Sequence, residues 1–334
     1  MDIVIAGFGV VGQGVAEVIQ QKGRALSEVF GEEIRIVGAF DSKSCEVSQD
    51  GLDPGALLKR KSMDGRVGKK DSDGDPWRIL GGIDYDTLIE VTPTNIVDGE
   101  PGFTNMMIAL NAGKNVITSN KGPLALKFKD LSRTAEAHDA RLRFEATVGG
   151  ATPIINLSRE LLRGERILSI RGILNGTCNF ILNRMKEEGL PFAQALREAQ
   201  DMGIAERDPS YDIDGVDSAC KAAILANAIF GLERTYSDVK RTGIRSVTEE
   251  AVSLAAEEKK VIRLIGEISG KRLEVAPRLV PIGHPLSIGG TRNIVQIHTD
   301  LAGEITVAGR GAGKFETASA ILSDLVALLK ENQK

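Results

Sequence analysis

Apolar positions near the N-terminus change their spacing at the first glycines. Ile3, Val4 and Ile5 form a short β-branched run, and Val11, Val15, Val18 and Ile19 then recur at helical intervals. The chain is therefore predicted to run from strand through tight turn to helix. A second strand, IRIVGAFDS, ends around Asp41. TLIEVTPTN and KNVITSNK each read as a buried parallel strand ending in polar residues, with the helix-like FTNMMIALNAG between them. Ligands in such sheets gather beyond the strand C-termini, which places Thr92, Pro93, Thr94, Asn120 and Lys121 in one crevice with the glycine turn. The stretch from Lys59 to Asp75 breaks the alternation. It is polar, with many Gly and Asp residues, and is predicted to be a long surface excursion.

A new region opens at RLRFEATVGGATPIINLSRELLRGE, where a strand gives way to a turn at Gly149 and Gly150 and then to a helix after Thr152 and Pro153. ILSIRGILNGTCNFILNRMKEEG repeats the theme, with a β-rich strand running into Asn175, Gly176 and Thr177 and then a helix. Capping and turn formation alone would account for an NGT sequence. A chain of 334 residues exceeds what one hydrophobic core, usually limited to ~250–300 residues, organises. The expected fold class is α/β: a nucleotide-binding domain over residues 1–148, completed by 303–334, and a second α/β domain over 149–302 for substrate binding and dimerisation.

Gly7, Gly9 and Gly12 fit GxGxxG immediately after the first strand, with Phe8, Val10 and Val11 in the same turn. In a Rossmann-type unit these glycines permit the turn, the close approach of backbone to a pyrophosphate and tight strand-to-helix packing, while the helix N-terminus favours the anion. Asp41 stands where an acid can hold the ribose hydroxyls of NAD. It lies 29 residues past Gly12 rather than the usual ~20, which an insertion around GRALSEVFGEE would explain. Lys43 and the run Lys59, Arg60, Lys61 could pair with the 2′-phosphate of NADP or form a solvated loop face.

Charge and cysteine usage then narrow the function classes. A formal net charge of −4 offers no broad basic surface for nucleic acid. Runs such as AAILANAIFG and ILSDLVALL are shorter than the ~18 residues of a membrane span, and no cationic region precedes the N-terminal apolar stretch. A cytoplasmic protein with neither a cleaved signal nor a membrane partner is expected. Cys45, Cys178 and Cys220 lack CxxC spacing and His138, His284 and His298 are scattered, so any metal would be oxygen-bound.

The densest chemistry lies in GIAERDPSYDIDGVDSACK, where Glu206, Asp208, Asp212, Asp214 and Asp217 precede Lys221. Asp212, Asp214 and Gly215 mimic the third, fifth and sixth positions of a calcium loop. Ser210 would then be first, and Lys221 would fall at the final position, which needs a bidentate Glu. A helix starting near Gly215 instead puts Asp217 in its first turn and Lys221 one turn later on the same face. On a solvated surface such a pair contributes only ~0.2–0.5 kcal/mol. The apolar continuation AAILANAIFGL argues for burial, where a lysine among carboxylates is costly unless the charges serve one another or a ligand.

In this order, GFGVVG, TSNKGP, EATVGGATP, LNGTCNFIL, GIAERDPSYDIDGVDSACK and the late GRGAG resemble the homoserine dehydrogenases, over almost the whole chain. The resemblance implies the short monofunctional form, without a fused aspartate kinase or C-terminal effector domain. It implies interconversion of L-homoserine and L-aspartate 4-semialdehyde with NAD or NADP, on the route to threonine, methionine and isoleucine, by a homodimer. By the same resemblance Lys121 and Lys221 stand at the reacting centre, Lys221 as proton donor and acceptor and Lys121 for orientation and electrostatics. Glu206, Asp212 and Asp217 hold the substrate ammonium or orient the lysines, Asn175, Gly176 and Thr177 line the substrate side, and Thr92, Pro93 and Gly311 lie near the cofactor. A monovalent cation, sodium, is implied at Glu145, Val148, Gly150 and Thr152. Reducing an aldehyde needs hydride at carbon and a proton or cation at oxygen, which a partly buried lysine supplies. Two rival readings stay open: a semialdehyde dehydrogenase with Cys178 as nucleophile, for which no His base is visible nearby, and a non-catalytic dinucleotide sensor whose acidic cluster is only a helix entrance.

Overall fold

The computed structural model describes residues 1–71 and 82–331. The chain divides into two units, Met1–Gly150 with Gly313–Lys334, and Ala151–Ala312. Among the described residues, the first unit holds a seven-stranded sheet in the order β4-β3-β2-β1-β5-β6-β7. Its strands are β1 (Asp2–Ala6), β2 (Arg35–Phe40), β3 (Ser44–Leu52), β4 (Lys70–Asp71), β5 (Thr87–Glu90), β6 (Asn115–Thr118) and β7 (Leu142–Arg143). β1 pairs in parallel with both β2 and β5, so the strand order reverses direction beside β1, the place where open α/β sheets bind ligands. Helices α1 (Val10–Phe30), α2 (Pro54–Asp64), α3 (Gly102–Asn111) and α4 (Lys121–Ala137) belong to the same unit.

The extra residues expected around GRALSEVFGEE between the glycine turn and Asp41 lie largely in a helix. α1 continues unbroken to Phe30, where Gly31 closes it in a left-handed conformation (φ 66°), so the extra residues lengthen a helix. The predicted surface excursion also needs correction: Lys59, Arg60 and Lys61 lie on α2, which starts where the Asp53 side chain accepts from Ala56 N. Residues 72–75 of that stretch lie outside the described residues.

Among its described residues the second unit holds a six-stranded sheet in the order β13-β12-β8-β10-β11-β9. These strands are β8 (Ile167–Ile173), β9 (Lys240–Arg241), β10 (Lys260–Ser269), β11 (Leu273–Pro281), β12 (Arg292–Thr299) and β13 (Glu304–Arg310). The unit also contains α5 (Gly176–Glu188), α6 (Phe192–Asp201), α7 (Val216–Phe230) and α8 (Glu249–Glu257). β13 pairs antiparallel with β12 from Glu304 to Arg310, which keeps this stretch in the second unit. The return to the first unit, expected from residue 303, therefore comes at Gly313.

α7 packs on β10 and β11 and is buried at every position from Asp217 to Asn227. Alanines, Ser218 and Cys220 keep it slim enough to be enclosed on all sides, as helices of the deep interior are. No helix among the described residues is long and apolar enough to cross a membrane.

In the first unit the last helix, α9 (Lys314–Glu331), lies against α1. The contact depends on Gly14, where a Cβ would come within 2.8 Å of the Lys314 carbonyl oxygen. Gly14→Ala is expected to lower stability by about 1–3 kcal/mol through overpacking, read as a drop in denaturation midpoint at unchanged m-value.

Candidate active site

In the second unit the chemistry assembles where β8 meets α5. Asn175 caps α5, its Oδ1 accepting from Cys178 N at 2.8 Å, as the capping explanation of NGT requires. Its Nδ2 does more, donating to Asp212 Oδ1 at 2.7 Å and to Asp217 Oδ2 at 3.0 Å. Asp217 Oδ2 also accepts from Lys221 Nζ at 2.8 Å, and Lys221 Nζ donates to the Leu174 carbonyl oxygen at 2.6 Å. The Lys221 and Asp217 side chains are only 8% and 6% exposed. This is the predicted pair one turn apart, but buried and tied into a network.

Two carboxylates stand beside one ammonium, Asp217 bonded to it and Asp212 joined to Asp217 through Asn175, an imbalance suited to a cationic ligand. Its strain shows in Asp212, whose carboxyl is pushed up from the usual range by burial and then by the charge of Asp217. Gly176 fits closely, since a Cβ there would overlap the Thr291 carbonyl, and Thr177 Oγ1 donates to Ile204 O at 3.2 Å. Glu206, by contrast, is exposed and lies outside this network. Asp214 pairs with Arg245, and Asp208 closes its own turn by accepting from Ser210 N at 3.1 Å.

Cys178 does not fit the role of nucleophile. It is fully buried, its Sγ donates to Asp212 O at 3.2 Å, and burial followed by the charges of Asp212 and Asp217 pushes its thiol well up. The reactive thiolate is the disfavoured form there.

The first unit offers a cradle for a dinucleotide. Gly7 follows β1 at φ 97°, and a Cβ on it would lie 2.7 Å from Val91 O; one on Gly12 would overlap the Gly7 carbonyl. At Gly9, the first residue before α1, a Cβ would meet nothing within 4 Å, and α1 has neither a side-chain cap nor an acidic residue in its first turn. The uncapped N–H groups and open approach suit a pyrophosphate. Val10 is exposed, whereas Phe8 is fully buried, so Phe8 supplies backbone and core packing there.

Asp41 is more constrained than its position in sequence suggests. Its Oδ1 accepts from Lys43 N and Ser44 N, each at 2.8 Å, and its Oδ2 accepts from Lys61 Nζ at 2.5 Å and Val67 N at 3.0 Å. Burial works to raise its pKa, but Lys61 and the turn amides outweigh that and leave it lowered. Lys43 itself points its backbone at Asp41 and has an exposed side chain.

Beyond β5 and β6 the polar ends meet as predicted. Asn120 caps α4 by accepting from Gly122 N at 3.1 Å, and its Nδ2 donates to Thr92 Oγ1 at 3.2 Å and to Pro93 O at 3.4 Å. Lys121, half-buried, is the first residue of α4, where the helix field favours anions and a lysine is held against it. Sequence reasoning missed Glu90. This fully buried carboxylate accepts from Thr92 N at 3.1 Å and from the Thr92 hydroxyl, and burial pushes its pKa up. Its signal was a lone charge at the end of a buried strand.

Glu145 and Val148 are buried, Glu145 N donates to Asp324 Oδ2 at 2.9 Å, and Gly150 adopts φ 55°. In the second unit, Thr152 Oγ1 is buried without a hydrogen-bond partner among the described residues. Among those residues no group of three or more His, Cys, Asp or Glu could hold a metal. Gly311 packs against the Asn293 side chain in the second unit.

A mostly parallel sheet whose strand order reverses beside β1, a glycine turn and an uncapped helix define a dinucleotide-binding module. Residues 7–145 match the NAD-binding domain model of homoserine dehydrogenase and residues 153–326 match the homoserine dehydrogenase domain model. A homoserine dehydrogenase of Methanocaldococcus jannaschii is 47% identical over 340 residues, covering 100% of each chain. A crystal structure from Archaeoglobus fulgidus, 46% identical, matches with a TM-score of 0.92 over 98% of this chain and 99% of that one. A hyperthermophilic archaeal homoserine dehydrogenase in complex with NADPH, 32% identical, gives a TM-score of 0.84 over 98% of each chain. The chain belongs to the homoserine dehydrogenases, NAD(P)-dependent oxidoreductases of amino-acid biosynthesis.

A carboxyl whose pKa is raised on folding stabilises the protein below its unfolded pKa and loses that contribution as pH rises through the folded value. Asp212→Asn is therefore expected to leave the melting temperature unchanged or higher at neutral pH while raising the KM for L-homoserine. Thermal melts and steady-state kinetics on the same preparation check both.

Proposed function

We propose that Lys221 is the general acid and base for interconversion of L-homoserine and L-aspartate 4-semialdehyde. The observation that carries this reading is a buried ammonium fixed at two points, Asp217 and the Leu174 carbonyl, with no third acceptor bonded to it among the described residues. In oxidation the neutral Lys221 amine takes the hydroxyl proton as hydride leaves the same carbon; in reduction the ammonium returns that proton to the aldehyde oxygen. The nicotinamide, when bound, accepts or gives the hydride. Asp212 and Asp217 take the substrate ammonium, their second negative charge being the one Lys221 leaves unbalanced. Lys121 orients the substrate and supplies positive charge where oxygen becomes anionic.

The reaction serves the route from aspartate to threonine, methionine and isoleucine, in the cytoplasm, in keeping with the family. We assign a sodium ion to the Glu145 carboxylate, the Val148 and Gly150 carbonyls and Thr152, a donor set of oxygens suited to a hard cation. The Thr152 hydroxyl, without a hydrogen-bond partner among the described residues, is an oxygen open to ligation. Homodimerisation through the second unit is supported by β13, an edge strand whose Glu304, Thr306, Ala308 and Arg310 are all exposed.

Lys221→Ala and Lys221→Arg should each reduce kcat by about 10²–10⁴-fold, because arginine keeps the charge but does not release a proton at working pH. The rise of reduced-nicotinamide absorbance with L-homoserine measures this, and near-normal turnover in either variant would remove Lys221 from the mechanism.

For the cofactor, Asp41 held by Lys61 neither repels a 2′-phosphate strongly nor offers a free carboxylate to ribose, so both NAD and NADP are substrates. Lys61→Ala frees that carboxylate. It is expected to shift the kcat/KM ratio at least about tenfold toward NAD, roughly 1.4 kcal/mol; an unchanged ratio would count against Asp41 and Lys61 as the selectivity pair.

A further inference from the structure

The Leu174 carbonyl accepts two hydrogen bonds. One comes from Lys221 Nζ at 2.6 Å and the other from Asn293 Nδ2 at 3.3 Å. Asn293 stands near the start of β12 and is 1% exposed. Its amide is confined on another side by Gly311, where any Cβ would overlap Asn293 Cγ, Oδ1 and Nδ2. One residue upstream of β12, the Thr291 carbonyl presses on Gly176 with the same lack of room. The Thr291–Asn293 segment thus closes on the Leu174–Gly176 turn, with Gly311 behind the Asn293 side chain. That turn carries the acceptor for Lys221 on one residue and, on the next, the side chain that joins Asp212 to Asp217.

We propose that Asn293 is a positioning residue for Lys221, holding the Leu174 carbonyl in one orientation through the proton-transfer cycle, and that Gly311 is glycine to leave room for it. This rests on Lys221 being the general acid and base. As an ammonium, Lys221 grips the carbonyl through a charge-assisted bond; as a neutral amine its grip weakens. The Asn293 amide carries no charge and titrates in neither state, so it keeps the carbonyl in place when Lys221 has given up its proton. The second lone pair of a carbonyl oxygen allows both donors at once. Without Asn293 the peptide is free to turn with each change in Lys221 charge, and a displacement of even about 1 Å at a reacting group can cost on the order of 10²-fold in rate.

The test uses the full chain with Asn293→Ala, Gly311→Ala, the double variant and Lys221→Ala, assayed with L-homoserine and NAD or NADP. Asn293→Ala is expected to lower kcat by about tenfold or more, with the cofactor KM within about twofold of the parent. Gly311→Ala should lose kcat by pushing the amide aside. Trimming that amide removes the collision, so the double variant should be no slower than Asn293→Ala. Losses that multiply in the double variant would overturn the steric link, and parental kcat in Asn293→Ala beside an inactive Lys221→Ala would overturn the positioning role while leaving Lys221 in place. An active Lys221→Ala would instead overturn the proton-transfer reading beneath it. Should Asn293→Ala fail to fold, Asn293→Val decides: it fills most of the same space with neither donor nor charge, so loss of kcat supports the proposal and parental kcat refutes it.

Discussion

A buried ammonium group must have its charge answered, and the second unit is organised around that need. Lys221 sits on a helix enclosed along its length, where desolvating one unpaired charge would cost several kcal/mol. Asp217 answers it one helical turn earlier, and the Leu174 carbonyl answers it from the end of β8. The charge account does not close there, because Asp212 adds a second carboxylate held by the same asparagine. A site left with surplus negative charge is less stable when empty than it could be, and the proposed role of Asp212 and Asp217 in holding the substrate ammonium rests on that imbalance. Strain of this kind is what separates a binding site from a structural ion pair.

The first unit solves a different problem with backbone rather than charge. Its glycines remove side chains where β1, α1 and the end of β5 come close, leaving the N–H groups of the first turn of α1 without a cap. Around it, side chains that could have contacted a ligand are instead tied to one another: Asp41 to Lys61 and turn amides, Glu90 to Thr92, Asn120 to Thr92 and Pro93. The arrangement holds the loop ends still, and rigid elements beneath mobile chemistry are what hydride and proton transfer require.

What could be read from sequence was whatever repeats locally. Val11, Val15 and Val18 gave α1, the apolar runs at β5 and β6 gave parallel strands, and the spacing of Asp217 and Lys221 gave an ion pair on one face. Contacts made at long range left no such trace. The acceptor on Leu174 is a backbone atom 47 residues from Lys221, and Asn293 lies 119 residues from the same carbonyl. Asp41 looked available because its partners come from α2 and Val67, which only the tertiary fold brings back. Likewise β13 alternates as a strand should, but nothing local says that it pairs with β12 instead of leaving for the first unit. Glu206 carried the same motif signal as Asp212 and stands exposed outside the network.

As proposed above, Lys221 exchanges a proton with the oxygen on the carbon that changes oxidation state. A crystal structure of the enzyme holding L-homoserine with oxidised cofactor tests it most directly. The substrate hydroxyl oxygen is expected within roughly 2.6–3.2 Å of Lys221 Nζ, with the substrate ammonium on Asp212 and Asp217. A hydroxyl bonded elsewhere, with Lys221 still committed only to Asp217 and the Leu174 carbonyl, would contradict it.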